Sequence, residues 1–496
     1  MLPEQPLYDL WILGGGINGA AIAADAAGRG LSVFLSDKDD FAAHTSSASS
    51  KLIHGGLRYL EQGDFRLVRE ALNEREIMLQ KAPHLVQPMQ FVLPHAPHLR
   101  PAWLIRLGLF LYDHLGKHQT LPGSKTVNLQ EATAGIPLKP AYHKGFMYSD
   151  CVTQDARLVV AYALEAEQHG AHLHNYTESH SIRRVDGVWE GTCVMRTGEQ
   201  CQVRSRALIN ATGPWVRSVL EAVGGQSSAQ VRWVKGSHFL LPKWYTGSHA
   251  YVLQHTDNRI IFVVPTDANC VLVGTTDVAY QGDLNHIEMD SHERDYLLMV
   301  LRTFFKKVPG PEHIRHHFSG VRALFDDATE NPSKISREYH LVLEGAEGEA
   351  PLLSVFGGKM TTARMLAEHV LQLLRPYFPD MKAPWTHASP LPGGNFLGRT
   401  LQSLQKEVAA HYPFVPKACL TRWIHQYGMR VWDLLADIAC MSDLGACLQG
   451  NLYEAEVNFL RHTEWAICWE DVLWRRTQLG VYFSRQEREQ LMKIPF

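Results

Sequence analysis

Leu10-Trp11-Ile12-Leu13-Gly14-Gly15-Gly16-Ile17-Asn18-Gly19-Ala20 is the stretch that decides the fold. A short apolar run meets a glycine cluster with no polar spacer, which reads as a buried strand entering a tight turn. Ile17 to Ala27 is rich in alanine, the best helix former, and Gly28 and Gly30 end that helix. Leu31 to Leu35 is a second strand. Strand, glycine turn, helix and strand make a βαβ unit, hence a parallel sheet in an α/β protein.

The spacing Gly14-x-Gly16-x-x-Gly19 adds chemistry to that unit. The first glycine allows the turn, the second lets the backbone approach a pyrophosphate, and the third lets the helix pack on the sheet. The helix N-terminus offers free N–H groups to the phosphates. Asp37 follows Gly14 by 23 residues, at the end of the second strand, where a carboxylate accepts ribose hydroxyls. Asp39 and Asp40 lie beyond the strand and are expected to face solvent. The motif alone does not separate FAD from NAD. Its place near the start of a long chain favours a flavoprotein, as does Asn210-Ala211-Thr212-Gly213-Pro214-Trp215, expected at a strand end closing over the dinucleotide.

Outward from this unit, 496 residues leave room for two to four domains. Apolar residues at 45% and charged residues at 20% exclude a disordered chain. Lys plus Arg number 48 against 51 Asp plus Glu, so the overall basic excess of a nucleic-acid binder is missing and no nucleic-acid partner is expected. Eight cysteines without CxxC spacing read as thiols in a reducing compartment rather than as a disulfide scaffold. The acidic, proline-containing start is not a signal peptide, and no uncharged apolar run is long enough to span a bilayer. No metal site is expected.

Helical periodicity appears at Phe65 to Lys81, 151–170, 288–305 and Thr361 to Tyr377. Pro83, Pro88, Pro94, Pro97 and Pro101 are expected to break the chain repeatedly. Ser237 to Leu241, Ala250 to Gln254, Ile260 to Val264 and Val271 to Gly274 read as antiparallel strands. After Pro390-Leu391-Pro392-Gly393-Gly394 the pattern turns helical.

Several segments together are specific. GGGINGA (14–20), SSASSKLIHGGLRYLE (46–61), NATGPW (210–215), KGSH (235–238), GTTD (274–277), SGVR (319–322) and FGGKMTT (356–362) resemble the FAD-dependent glycerol-3-phosphate dehydrogenases, the bacterial respiratory type above all. The likeness runs through essentially the whole chain. Ala323 stands where that family usually has proline, and Ala363 where it usually has an aromatic, which bears on pocket shape rather than on reaction type.

The resemblance implies a glutathione-reductase/amino-acid-oxidase type, Rossmann-like FAD domain assembled from 1–85, 150–230 and 318–390. An antiparallel-sheet substrate domain, 86–149 and 231–317, is inserted in it, and a helical domain, 391–496, follows. It implies oxidation of sn-glycerol 3-phosphate to dihydroxyacetone phosphate, with electrons passing through FAD to ubiquinone or menaquinone. It also implies a monotopic enzyme on the inner face of the cytoplasmic membrane, and it allows a homodimer. An oxygen-using glycerol-3-phosphate oxidase and another FAD-dependent alcohol or amine oxidoreductase of this fold remain alternatives.

A phosphate dianion calls for planar arginine forks. By resemblance Arg322 and Arg337 bind the phosphate, and Arg58 and Tyr59 lie beside flavin and substrate; a lone arginine is otherwise a surface ion pair. His238 is the candidate base for the hydroxyl proton, with Lys359 and Arg58 as rivals. Thr45, Ser46, Ser50, Lys51, His54, Gly55, Gly213, Gly358, Met360 and Thr361 are expected around the FAD. Residues 99–118 mix Trp103, Leu104, Ile105, Leu107, Leu109, Phe110 and Leu111 with basic neighbours. That pattern suits a membrane-surface segment or a core helix. Trp465, Trp469 and Trp474 form a second candidate, on a spacing equally normal for core packing.

Overall fold

The computed structural model describes residues 6–96, 99–116, 120–267, 269–325, 338–346 and 348–496. The opening strand forms at Leu7–Leu13, its helix at Ile17–Gly28 and the second strand at Val33–Ser36. Leu7–Leu13 is the centre of a sheet. It pairs in parallel with Val33–Ser36 on one side and with Gln200–Asn210 on the other. Leu352–Phe356 extends the sheet beyond Gln200–Asn210, and His172–His174 extends it beyond Val33–Ser36, both in parallel. The alanines of Ile17–Gly28 leave no side-chain bulk, so the helix beds between Asp155–Gln168 and Ala363–Leu374 with ten of its twelve residues buried. The strand ends at Leu13, Asn210 and Phe356 therefore open on one edge, where a doubly wound sheet binds its ligand.

The second sheet runs in the order Val278–Ala279, Val231–Pro242, Cys270–Gly274, Ile260–Pro265, Ala250–Gln254, Val86–Pro94, Lys144–Thr153 and Leu52–Ile53. Ser291–Phe304 covers one face, burying Leu297, Leu301 and Phe304 on Phe239, Tyr251 and Val273. Each such side chain contributes about 1.5–3 kcal/mol on burial.

Two features depart from the sequence reading. The proline-rich stretch is not broken throughout: Val86–Pro94 is a continuous strand. Its only pairing with Ala250–Gln254 is at Phe91 and Val92, so neither Pro88 nor Pro94 displaces a bond on that side. His316–Phe325 pairs along its length with Val231–Pro242. Sheet pairing thus continues across position 318, and we propose that the substrate domain extends to Phe325.

Residues 391–496 hold their own core, with Leu404, Val408, Leu420, Trp423, Leu460 and Leu473 buried, and short helices dominate. A two-stranded hairpin, Cys447–Gln449 with Leu452–Tyr453, is the one β element described there.

Candidate active site

A cavity of about 540 Å³ lies against the glycine turn. Gly14, Gly16, Asp37, Thr45, Ser46, Gly213, Arg322 and Gly358 line it, from five separate stretches of sequence. Gly14 has φ +102°, which other residues rarely adopt. A Cβ on Gly19 would stand 1.9 Å from the Gly14 carbonyl oxygen. The helix thus begins directly on the turn, with its first N–H groups toward the cleft. Ser46 Oγ accepts one of them, from Ile17 at 3.0 Å.

The residues fit FAD. The cleft is of cofactor size, it has a helix N-terminus for the pyrophosphate, and it has Asp37 at the strand end. Asn18 lines the cleft, and its Oδ1 is buried with no hydrogen-bond partner among the described residues, so polar capacity remains here. Asp37 Oδ2 accepts the Gly15 N–H at 2.6 Å, and Oδ1 accepts the Asp39 N–H at 2.9 Å. Burial outweighs these bonds and raises its carboxyl to about 6. Ribose hydroxyls donate best to the ionised form, so FAD binding draws the proton off. Affinity of apoprotein for FAD should therefore rise with pH up to about 6 and level off above. Fluorescence titration at pH 5 to 8 checks this, with Asp37→Asn losing the dependence.

Asp40 corrects the expectation of a solvent-facing acid. It is buried, and Arg475 and Arg476 ion-pair with it at 2.5 and 2.7 Å.

A second cavity, about 370 Å³, is lined by His54, Arg58, Tyr59, Phe262, Thr275 and Asp277 and reaches the helix Ala102–Leu115 through Leu104, Ile105 and Leu107. Arg322 joins the two cavities. It lines the first, and it donates to Asp277 Oδ1 at 2.7 Å and to Thr275 Oγ1 at 3.2 Å, both in the wall of the second.

His238 faces Gly274 and Phe318 across neighbouring strands and stacks on the Phe318 ring at 5.2 Å. Its Nε2 lies 3.0 Å from Ser50 Oγ, and its Nδ1 is buried with no partner among the described residues. Burial, reinforced by Arg322 and Lys51, holds its pKa well below the usual histidine value. The ring is therefore neutral at pH 7.

The other candidates fall into two groups. Lys359 Nζ sits 4.6 Å from the centre of the Tyr59 ring, and Thr361 Oγ1 accepts the His54 N–H at 3.3 Å, so the segments 53–61 and 356–362 meet. Thr45 Oγ1 donates to the Val321 carbonyl at 2.7 Å and ties the hydroxyl-rich run to Arg322's strand. Ser50, His238, Lys359 and Thr361 stand behind the cavity walls rather than in them, and so does Lys51, which is ion-paired with buried Asp155. The Gly55 N–H donates to Tyr112 Oη at 2.8 Å, and Met360 packs on the core of the first domain. Arg337 lies outside the described residues.

Sequence reasoning missed Glu293. Its Oε1 accepts from Ser237 Oγ at 2.9 Å and from Thr276 Oγ1 at 2.8 Å, and Lys235 ion-pairs with Oε2 at 2.8 Å. Ser237 Oγ also lies 2.7 Å from Ser319 Oγ, so one carboxylate knots together KGSH, GTTD and SGVR. The only sequence signal was the capping box Asp290-x-x-Glu293 at a helix start. Asp277 was visible in GTTD but had no role until Arg322 was placed.

A dinucleotide cleft beside a second pocket walled by arginine and tyrosine, on this fold, defines an FAD-dependent oxidoreductase. The family model "FAD dependent oxidoreductase" matches residues 9–364, and "C-terminal domain of alpha-glycerophosphate oxidase" matches 384–494. The chain is 50% identical to a glycerol-3-phosphate dehydrogenase of Pseudomonas aeruginosa, over 99% of this chain and 96% of that one. It is 45% identical to the aerobic glycerol-3-phosphate dehydrogenase of Escherichia coli K12, over 97% and 96%. A D-erythritol 1-phosphate dehydrogenase of Brucella abortus is 46% identical, over 98% and 97%. In fold it matches the FAD complex of a Bacillus halodurans glycerol-3-phosphate dehydrogenase with TM-score 0.76 at 22% identity, over 99% and 94% of the two chains. The chain belongs to the FAD-dependent glycerol-3-phosphate dehydrogenase family, and its cofactor is FAD.

Proposed function

We propose that the chain oxidises sn-glycerol 3-phosphate to dihydroxyacetone phosphate and passes the electrons to a membrane quinone. The observation that carries the substrate is Arg322 between the two cavities, held toward the pocket by Asp277 and Thr275. Its fork, with Arg58 from the wall of the second cavity, would take the phosphate dianion. When bound, FAD supplies the hydride acceptor. Neutral His238 would take the hydroxyl proton, so hydride and proton leave the alcohol by separate routes and a ketone remains. Lys359 beside Tyr59 adds positive charge where negative charge develops.

The acceptor reading is supported by Ala102–Leu115. Trp103 is 68% and Phe110 50% exposed, Arg100 and Arg106 lie close by, and Leu104 and Leu107 continue into the second cavity. Such a face suits the lipid interface, next to a route for an apolar oxidant. Among the described residues no helix is long and apolar enough to cross a membrane, and we place the enzyme peripherally on the inner face of the cytoplasmic membrane. The rival tryptophans are engaged by the protein itself: Trp469 is buried, half-buried Trp465 meets Phe41 edge-on and half-buried Trp474 stacks on His316.

The test is reoxidation of the substrate-reduced holoenzyme by ubiquinone in anionic vesicles or by oxygen. Rapid quinone reduction is expected. In Trp103→Asp/Phe110→Asp the vesicle rate should fall roughly tenfold, while the rate with a soluble dye stays unchanged. Fast oxygen consumption with no benefit from quinone would assign the chain to the oxidases instead.

A further inference from the structure

Neither cavity takes a described lining residue from 391–496, yet this unit reaches the cofactor cleft at second hand. The segment from Asp37 to Ala43 forms one rim, with Asp37, Lys38, Ala42 and Ala43 in the wall. In its middle, Asp40 points away from the cleft into the helical unit. Asp40 Oδ1 accepts from Arg476 Nη2 and Asn175 Nδ2, both at 2.8 Å. Asp40 Oδ2 accepts from Arg475 Nε at 2.5 Å and Arg476 Nη1 at 2.7 Å.

The arginines are themselves fixed. Arg476 also donates to the Glu464 carbonyl at 2.9 and 2.7 Å, and Arg475 is ion-paired with Asp471. Asn175 donates as well to the Trp465 carbonyl at 2.9 Å. Trp465 meets the Phe41 ring edge-on at 5.2 Å, Phe41 packs on Gly15, and the Ala42 N–H donates to the Gly15 carbonyl at 3.1 Å. One continuous packed path therefore runs from the C-terminal arginines to the glycine turn.

We propose that the helical unit is a cofactor clamp: Arg475 and Arg476, through Asp40, hold the 37–43 rim in the shape that receives FAD. They are positioning residues and do not reach the cofactor themselves. Without them the rim samples other shapes, and the apparent affinity falls by the fraction still competent. By linkage, bound FAD strengthens the docking of the helical unit in turn.

The test measures the FAD dissociation constant of the full-length protein by flavin fluorescence in Arg476→Met, Arg476→Lys and Leu420→Ala. The last weakens the helical core without touching the path, since Leu420 lies in that core. Arg476→Met should raise the constant roughly tenfold and Arg476→Lys less. The KM for glycerol 3-phosphate at saturating FAD should not change, and Leu420→Ala should bind FAD as the parent does. Should Arg476→Met fail to fold, Asp40→Asn and Trp465→Phe carry the same comparison. Parental FAD affinity in the clamp variants, or an equal loss in Leu420→Ala, would overturn the proposal.

Discussion

Alanine at position 19 is expected to leave the protein without flavin. The added Cβ would stand 1.9 Å from the Gly14 carbonyl oxygen, a backbone atom with no rotamer to yield. Neither partner can move freely. The Gly14 N–H is bonded to the Ser36 carbonyl at 2.9 Å, and the helix after Gly19 is buried between two others. Overpacking of this kind costs about 1–3 kcal/mol, and the strain is relieved by lifting the helix N-terminus off the turn. A shift of about 1 Å there is enough for roughly a hundredfold loss of function. FAD per polypeptide, read from the flavin absorbance beside a far-UV dichroism spectrum, should fall to a small fraction with the helices retained. A yellow, fully loaded variant would mean that the turn does not carry the pyrophosphate.

Arg322→Ala is expected to act on the substrate side. The arginine is the hinge between the cavities, and its removal also leaves Asp277 without this charge partner in the pocket wall. Arg322 is part-buried in its pair with Asp277 and becomes enclosed once a ligand covers it; truncating one member of such a desolvated charge pair costs about 2–5 kcal/mol, so kcat/KM for glycerol 3-phosphate should fall by roughly two to three powers of ten. Arg322→Lys should restore only part of it, because an ammonium is a point charge and cannot grip both a phosphate and Thr275. An unchanged kcat/KM in the alanine variant would remove Arg322 from the phosphate site.

How far the chain could be read depended on whether a signal was local. The βαβ unit was legible because an apolar strand, three glycines and an alanine helix lie within about thirty residues. The helices at Phe65–Lys81 and Ser291–Phe304 followed from periodicity alone. The strand Val86–Pro94 was hidden because proline's effect depends on which neighbour a strand lacks, and sequence does not show neighbours. Asp40 was misplaced for the same reason: its arginines lie more than 430 residues away. The site residues within motifs could be named, and by resemblance given roles. That Glu293 ties three of the motifs together, and that Lys51 turns to Asp155, are consequences of tertiary packing.

In the proposed reaction the phosphate grip and the hydride-accepting flavin meet at Arg322, between the two cavities. Anaerobic titration of the purified holoenzyme with glycerol 3-phosphate tests it most directly. Stoichiometric bleaching of the flavin band near one substrate per FAD, absent with unphosphorylated glycerol, is the expected result. A band that stays yellow in excess glycerol 3-phosphate, or that bleaches as readily with glycerol, would contradict it.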